Sequence, residues 1–181
     1  MAGNNFTKEE VKIIKRGSYY LTPLKSFHID ELERVLSKEN RREIKLLGYC
    51  DVRTALEVMS KTSEAYVCRK DGGELLFVGG LWFCEDQDWP QMFAMFSSKI
   101  RENFTMLARG SKMLVEFFDQ SQSHMSMTIL ADYEGMVSWA TWLGFDPVGV
   151  STQNGNKYVE FVRCNLDQNC VYDEPRQPVI H

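Results

Sequence analysis

The chain has 181 residues, 44% of them hydrophobic and 12% aromatic, which is enough for one packed core and sets the expectation of a single domain. Charged residues make up 25% and the formal net charge is -4, a balance that excludes a disordered polyelectrolyte and predicts no nucleic-acid partner. The five cysteines, Cys50, Cys68, Cys84, Cys164 and Cys170, are scattered with no C-x-x-C pair, which speaks against a disulfide framework and a zinc site. With no apolar run of membrane-spanning length and no signal-peptide core in Met1-Ala2-Gly3-Asn4-Asn5, a reduced chain made in the cytoplasm is expected.

In chain order, Thr7-Lys8-Glu9-Glu10 has capping-box spacing ahead of Val11, Ile13 and Ile14, predicting a helical extension over residues 1–17 that ends at Gly17. Residues 18–24 are aromatic, β-prone and stopped by Pro23, the mark of a first strand. Ile29, Leu32, Val35 and Leu36 recur at three-and-four spacing and predict an amphipathic helix over 27–36. The mixed charges of 39–42 read as a solvated helix face. A second helix opens at Asp51 as N-cap, with Val52, Ala55, Leu56 and Met59 as its apolar stripe.

The period then changes to two. Residues 64–69 and 74–83 read as a hairpin around Asp71-Gly72-Gly73, and 91–96 as a strand buried on both faces at the centre of a sheet. A helix over 103–120 would bury Leu107, Leu114, Val115 and Phe118, with Gly110 a weak point within it. A strand at 125–130 precedes a helix over 133–143 that Gly144 stops in the left-handed conformation. Residues 148–151 and 158–164 close a hairpin through Asn154-Gly155. The main domain therefore spans 18–164, and the polar, aperiodic residues 165–181 form an extended tail.

This order of elements, with the ending Trp139-Ala140-Thr141-Trp142-Leu143-Gly144-Phe145-Asp146-Pro147-Val148, resembles the GNAT acyltransferase superfamily. The resemblance implies an α/β (α+β) fold: a central mixed, mostly antiparallel sheet flanked by helices. In that superfamily the loop after the central strand carries glycines whose backbone N–H groups meet the pyrophosphate of CoA, because a Cβ would hold the phosphates away. The corresponding residues here, Ser97-Ser98-Lys99-Ile100-Arg101-Glu102-Asn103, contain no glycine, and Glu102 would repel an anion.

A second resemblance, over roughly residues 20–150, is to the GNAT-like internal virion protein A family of short-tailed bacteriophages. Its matches are His28-Ile29, Glu43-Ile44 within 41–48, Ala55-Leu56, Ser63, Asp71-Gly72, Val78-Gly79-Gly80 and 139–145, whereas Ala131-Asp132-Tyr133-Glu134 departs from the family's asparagine-bearing stretch. It implies a virion or assembly protein on an acetyltransferase-like scaffold that has no cofactor, acts by docking to other phage virion proteins or to itself, and resides in the host cytoplasm or the virion. On that reading Trp89, Tyr172, Val179 and Ile180 are the partner-binding residues, Trp89 because it flanks Pro90 in a polar loop and the others as apolar points in the tail.

The alternative is an acetyl-CoA-dependent N-acyltransferase acting on a host or phage protein. Acyl transfer to an amine needs a base for the amine and an acid for the departing thiolate. Tyr133 is the candidate acid; Glu74 or an acid of the 85–88 loop is the candidate base; Ser97, Ser98 and Lys99 would meet the phosphates. No metal is expected. His28 and His124 have no ligand partners at suitable spacing and read as helix-start and strand-start residues, Cys84 has no His-Asp pattern beside it, and the remaining tryptophans, Trp82, Trp139 and Trp142, read as core.

Overall fold

Helix-period and strand-period segments alternate as their spacing demands in a computed structural model, which describes residues 14–84, 87–99 and 104–165. In chain order the elements are β1 (Ile14–Arg16), β2 (Tyr19–Pro23), α1 (Ser26–Val35), α2 (Lys38–Leu46), α3 (Val52–Thr62), β3 (Ser63–Lys70), β4 (Leu75–Trp82) and β5 (Gln91–Phe96). They are followed by α4 (Phe104–Phe118), β6 (His124–Leu130), α5 (Glu134–Trp142), β7 (Asp146–Gln153) and β8 (Asn156–Cys164). The strands form one sheet in the order β1-β2-β3-β4-β5-β6-β8-β7, antiparallel throughout except for β5 and β6. This is the expected fold class.

The sheet separates two apolar layers. On one face Leu114, Val115 and Phe118 of α4 and Trp139, Ala140 and Leu143 of α5 pack with Phe77, Met125, Met127 and Phe161. On the other, Ile29 and Leu32 of α1, Ile44 of α2 and Leu56 and Met59 of α3 pack on Val67, Val78 and Met95. The α1–α3 layer draws its strand partners from β3, β4 and β5, and this asymmetry leaves room beside the central strands.

Two glycines of β4 and one of α4 are set by close approach. A Cβ at Gly80 would lie 2.3 Å from the Glu64 carbonyl oxygen, and one at Gly79 would lie 2.7 Å from Leu114 Cδ2. At Gly110 a Cβ would lie 2.8 Å from Phe77 Cε1 and 2.9 Å from Cys68 Sγ, so Gly110 is the contact at which α4 seats on the sheet rather than a weak point.

Two further expectations change, and the helix-face reading of 39–42 becomes more specific. Residues 14–16 are not the end of a helix: Ile14 pairs with Leu21 at the exposed edge of β2, Gly17 turns the chain at a φ of +59°, and the capping box lies outside the described residues. The charged stretch 39–42 belongs to a helix of its own, α2, whose N-cap Ser37 accepts the Asn40 N–H at 3.2 Å. It was hard to see because Ile44 is its one buried apolar residue. Trp142 is not core but 56% exposed, one turn beyond the buried Trp139.

Candidate functional site

β5 and β6 run parallel but share a single registered pair, Gln91 with Ser126. There the Ser126 N–H donates to the Pro90 oxygen at 2.9 Å, and Gln91 Nε2 donates to Thr128 Oγ1 at 3.0 Å. At the other end of β5 the backbone is engaged elsewhere. The Phe96 N–H donates to Asn40 Oδ1 at 2.8 Å, and the Phe96 oxygen accepts the Ser37 N–H at 2.9 Å. Asn40 Oδ1 also accepts the Ser37 hydroxyl at 2.9 Å, so both its lone pairs are used. The start of α2 therefore holds β5 where a continuous sheet would place β6, and the strands part. A cleft of about 1100 Å³ opens along this wedge, lined from α2, β5, β6, the start of α5 and β8.

A connected set of ionisable groups stands in and beside the cleft. Arg42 Nη1 pairs with Asp132 Oδ2 at 2.9 Å, and its guanidinium lies 5.8 Å from the centroid of the Tyr133 ring. The Tyr133 hydroxyl donates to the Glu39 carbonyl oxygen at 3.2 Å, tying the N-cap of α5 to α2. Glu43, next on α2, accepts from Asn40 Nδ2 at 3.3 Å; desolvation raises its pKa above the usual carboxylate range, against that hydrogen bond. Burial also raises the pKa values of Tyr133 and Tyr158, with Arg42 opposing the rise in both, so each remains a protonated donor at neutral pH. Trp139 lines the cleft with its ring edge-on to Phe96, 5.6 Å between centroids, and its buried Nε1 has no hydrogen-bond partner among the described residues.

Of the residues expected at a site, Tyr133 lines the cleft and Glu74 does not. Glu74 stands at the entry to β4, 3.7 Å from Lys99 Nζ, so those two form a pair at the far end of β5. Ser97 is buried, its N–H given to the Leu76 oxygen at 2.9 Å and its Oγ accepting the Lys99 N–H at 3.4 Å, while Ser98 is exposed. Trp89 is at the cleft rim, stacked on His124 with ring centroids 5.3 Å apart. Tyr172, Val179, Ile180, Glu85, Asp86 and residues 100–103 lie outside the described residues. His28 is a helix-start residue as expected: it is fully buried, and its Nδ1 accepts the Lys25 N–H at 2.9 Å. Glu43, quoted only within a family match, and Asn40 are not expected at a site from sequence, although Ser37 three residues before Asn40 is a readable helix start.

The fit to an acyl-CoA is uneven. The wedge has the volume for an acyl-pantetheine arm. The described part of the loop after β5 offers a hydroxyl at Ser98 and a cation at Lys99 but no glycine.

No protein-family model matches this sequence, and neither does any curated protein. Solved structures do. A Bordetella pertussis protein described as a GNAT-family acetyltransferase superposes with a TM-score of 0.69 at 15% identity, over 83% of this chain and 98% of that one. The ribosomal-protein-S5-alanine acetyltransferase of Vibrio fischeri gives 0.63 at 10% identity, over 85% and 97%. RimL, a ribosomal L7/L12 alpha-N-protein acetyltransferase solved in complex with coenzyme A, gives 0.64 at 10% identity, over 84% and 97%. These neighbours are acetyltransferases and none is a virion component, which overturns the expectation of a bacteriophage docking protein. Across nearly the whole length of these neighbours, this chain has the fold of the GNAT acetyltransferases.

Proposed function

We propose that this protein is an acetyl-CoA-dependent N-acyltransferase. The observation that carries the proposal is the wedge between β5 and β6, with the desolvated carboxylate of Glu43 and the protonated phenol of Tyr133 on its lining. Acetyl-CoA, when bound, supplies the activated acyl group. Trp139, Met92 and Phe96 would surround its arm, with Ser98 and Lys99 at the phosphate end.

An amine attacks only after losing a proton, and Glu43 is suited to take it. Its raised pKa brings it nearer to neutrality, where a general base is most effective, and Asn40 Nδ2 fixes the carboxylate. Tyr133 holds its proton across the neutral range and, once its hydroxyl turns from the Glu39 carbonyl oxygen, would serve as donor to the departing sulfur, the role expected of it from sequence.

Calorimetric titration of the full chain with acetyl-CoA, joined to a free-thiol assay with a panel of amines, tests this. Micromolar binding and amine-dependent thiol release are expected. Absence of both binding and release would sink the proposal.

A further inference from the structure

We infer that two polar contacts between α2 and the start of α5 form an autoinhibitory latch on the cleft: Arg42 with Asp132, and Tyr133 with the Glu39 carbonyl oxygen. The latch closes the open end of the β5–β6 wedge and withholds the Tyr133 hydroxyl until an acyl donor binds; this rests on the acyltransferase reading above.

The wedge is joined at Gln91 and Ser126 and open toward Phe96 and Leu130, where its two strands end. At that end each strand is fastened to a different helix start. Asn40 and Ser37 bind the N–H and the carbonyl oxygen of Phe96, and the Leu130 carbonyl oxygen accepts the Tyr133 N–H at 3.0 Å. The Tyr133 hydroxyl then reaches Glu39 at 3.2 Å, and Asp132 beside it reaches Arg42 at 2.9 Å. The end of β5 is thereby tied to the end of β6 through α2. Glu39 lines the cleft from α2, and Asp132 and Tyr133 line it from the start of α5, so the tie spans the cleft.

No core cluster among the described residues joins these two helices. Ile44 of α2 packs in the layer of α1 and α3, whereas Trp139, Ala140 and Leu143 of α5 belong to the layer on the other face of the sheet, with Tyr133 packed against it. The ionic half of the latch is also solvated: 50% of the Arg42 side chain and 54% of that of Asp132 are exposed, and ion pairs so exposed are weak. A weak polar junction between two separately packed layers is where local opening costs least.

Opening matters to the chemistry because of one hydrogen atom. A phenol has a single proton to donate, and while Tyr133 gives it to Glu39 it cannot give it to a departing thiolate. The latched form and the reactive form therefore exclude each other. An acyl donor that needs the open form binds with an apparent Kd raised by the inverse of the open fraction.

Stopped-flow mixing of the full chain with acetyl-CoA, for the wild type, Arg42→Gln, Asp132→Asn and R42D/D132R, tests the latch. Both single variants are expected to associate about two- to fivefold faster, the range set by loss of an exposed pair that holds the closed form. The direction in Arg42→Gln is decisive, since removing a cation slows association with an anionic ligand if charge alone acts. R42D/D132R restores the pair with its ends exchanged and should return the rate toward that of the wild type. Both positions are half-exposed, so unfolding curves of all variants should lie near the wild type's. An Arg42→Gln rate at or below the wild-type rate, or R42D/D132R as fast as the single variants, would overturn the latch while leaving the acyltransferase standing. Failure of the wild type and variants alike to bind acetyl-CoA or to release thiol would overturn that reading and the latch together.

Discussion

Arg163 grips the carboxylate of Asp119 with two hydrogen bonds, Nε to Oδ1 at 3.0 Å and Nη2 to Oδ2 at 2.6 Å. Its remaining nitrogen, Nη1, donates to the carbonyl oxygens of Leu143 and Gly144 at 2.9 and 3.3 Å. One guanidinium on β8 thus ties the end of α4 to the turn that ends α5, where Gly144 has a φ of +83° and Phe145 is wholly buried. Arg163→Ala should cost about 2–3 kcal/mol in chemical unfolding, as expected for charged hydrogen bonds at a half-buried site. Arg163→Lys should recover only a small part of it, since an ammonium cannot make the forked contact. Gly144→Ala should cost at least about 1–2 kcal/mol from its backbone conformation alone, and its Cβ would also meet Arg163 Nη1 at 2.3 Å.

Asn40 is the pin of the wedge. Asn40→Ala leaves the Phe96 N–H and the Ser37 hydroxyl without their acceptor. A loss of about 1–3 kcal/mol is expected from that unsatisfied amide. Because the same contact holds β5 away from β6, the KM for acetyl-CoA should rise as well. Unfolding curves and steady-state kinetics on one preparation check both outcomes.

Gly110→Ala sets two effects against each other. An exposed helix would gain about 1 kcal/mol from this change. Here the new methyl would press on Phe77 and Cys68, and overpacking of about 1–3 kcal/mol should prevail. The variant is therefore expected to melt below the wild type, and a rise in melting temperature would show that α4 can shift outward freely.

Glu43→Gln should lower kcat by about a hundredfold or more if Glu43 is the general base. Stability should move the other way. With its pKa raised in the fold, the wild type binds the Glu43 proton more tightly folded than unfolded. It therefore loses stability as the pH rises from about 4.3, the unfolded value, through the raised folded value. Glutamine titrates nowhere in that range. The variant's gain in melting temperature should thus be present at pH 7 and vanish near pH 4. For the same reason the wild type's kcat/KM should rise with pH along an acid limb lying above the ordinary carboxylate range.

Thiol reactivity should divide by position. Burial pushes the Cys68 thiol up to about 12, so it is neither ionised nor accessible in the fold. Cys50 and Cys84 are exposed. An alkylating reagent at neutral pH, read by peptide mapping, should modify Cys50 and Cys84 within minutes and Cys68 only after denaturant is added.

The secondary-structure elements are written in local pattern. Apolar spacing in 27–36 and around Leu56, period two in 64–83, and turns at Gly72 and Asn154-Gly155 are local signals, and each became the element it predicted because the tertiary contacts agree with the local preference. The GNAT fold class was legible only as a resemblance, in the order of elements and in the ending where Gly144 stops α5 and Phe145 fills the core. The site, by contrast, is assembled by long-range contacts. Glu43 lies in a charged stretch whose composition reads as solvated, and it becomes a desolvated carboxylate because Ser37 and Asn40 bind the end of β5, some 56 residues further along the chain. Glu74, as acidic in sequence as Glu43, is carried by the β3–β4 turn to Lys99 and away from the cleft. Burial and charge partners are properties of how distant segments meet, and a linear pattern encodes the segments without encoding their meeting.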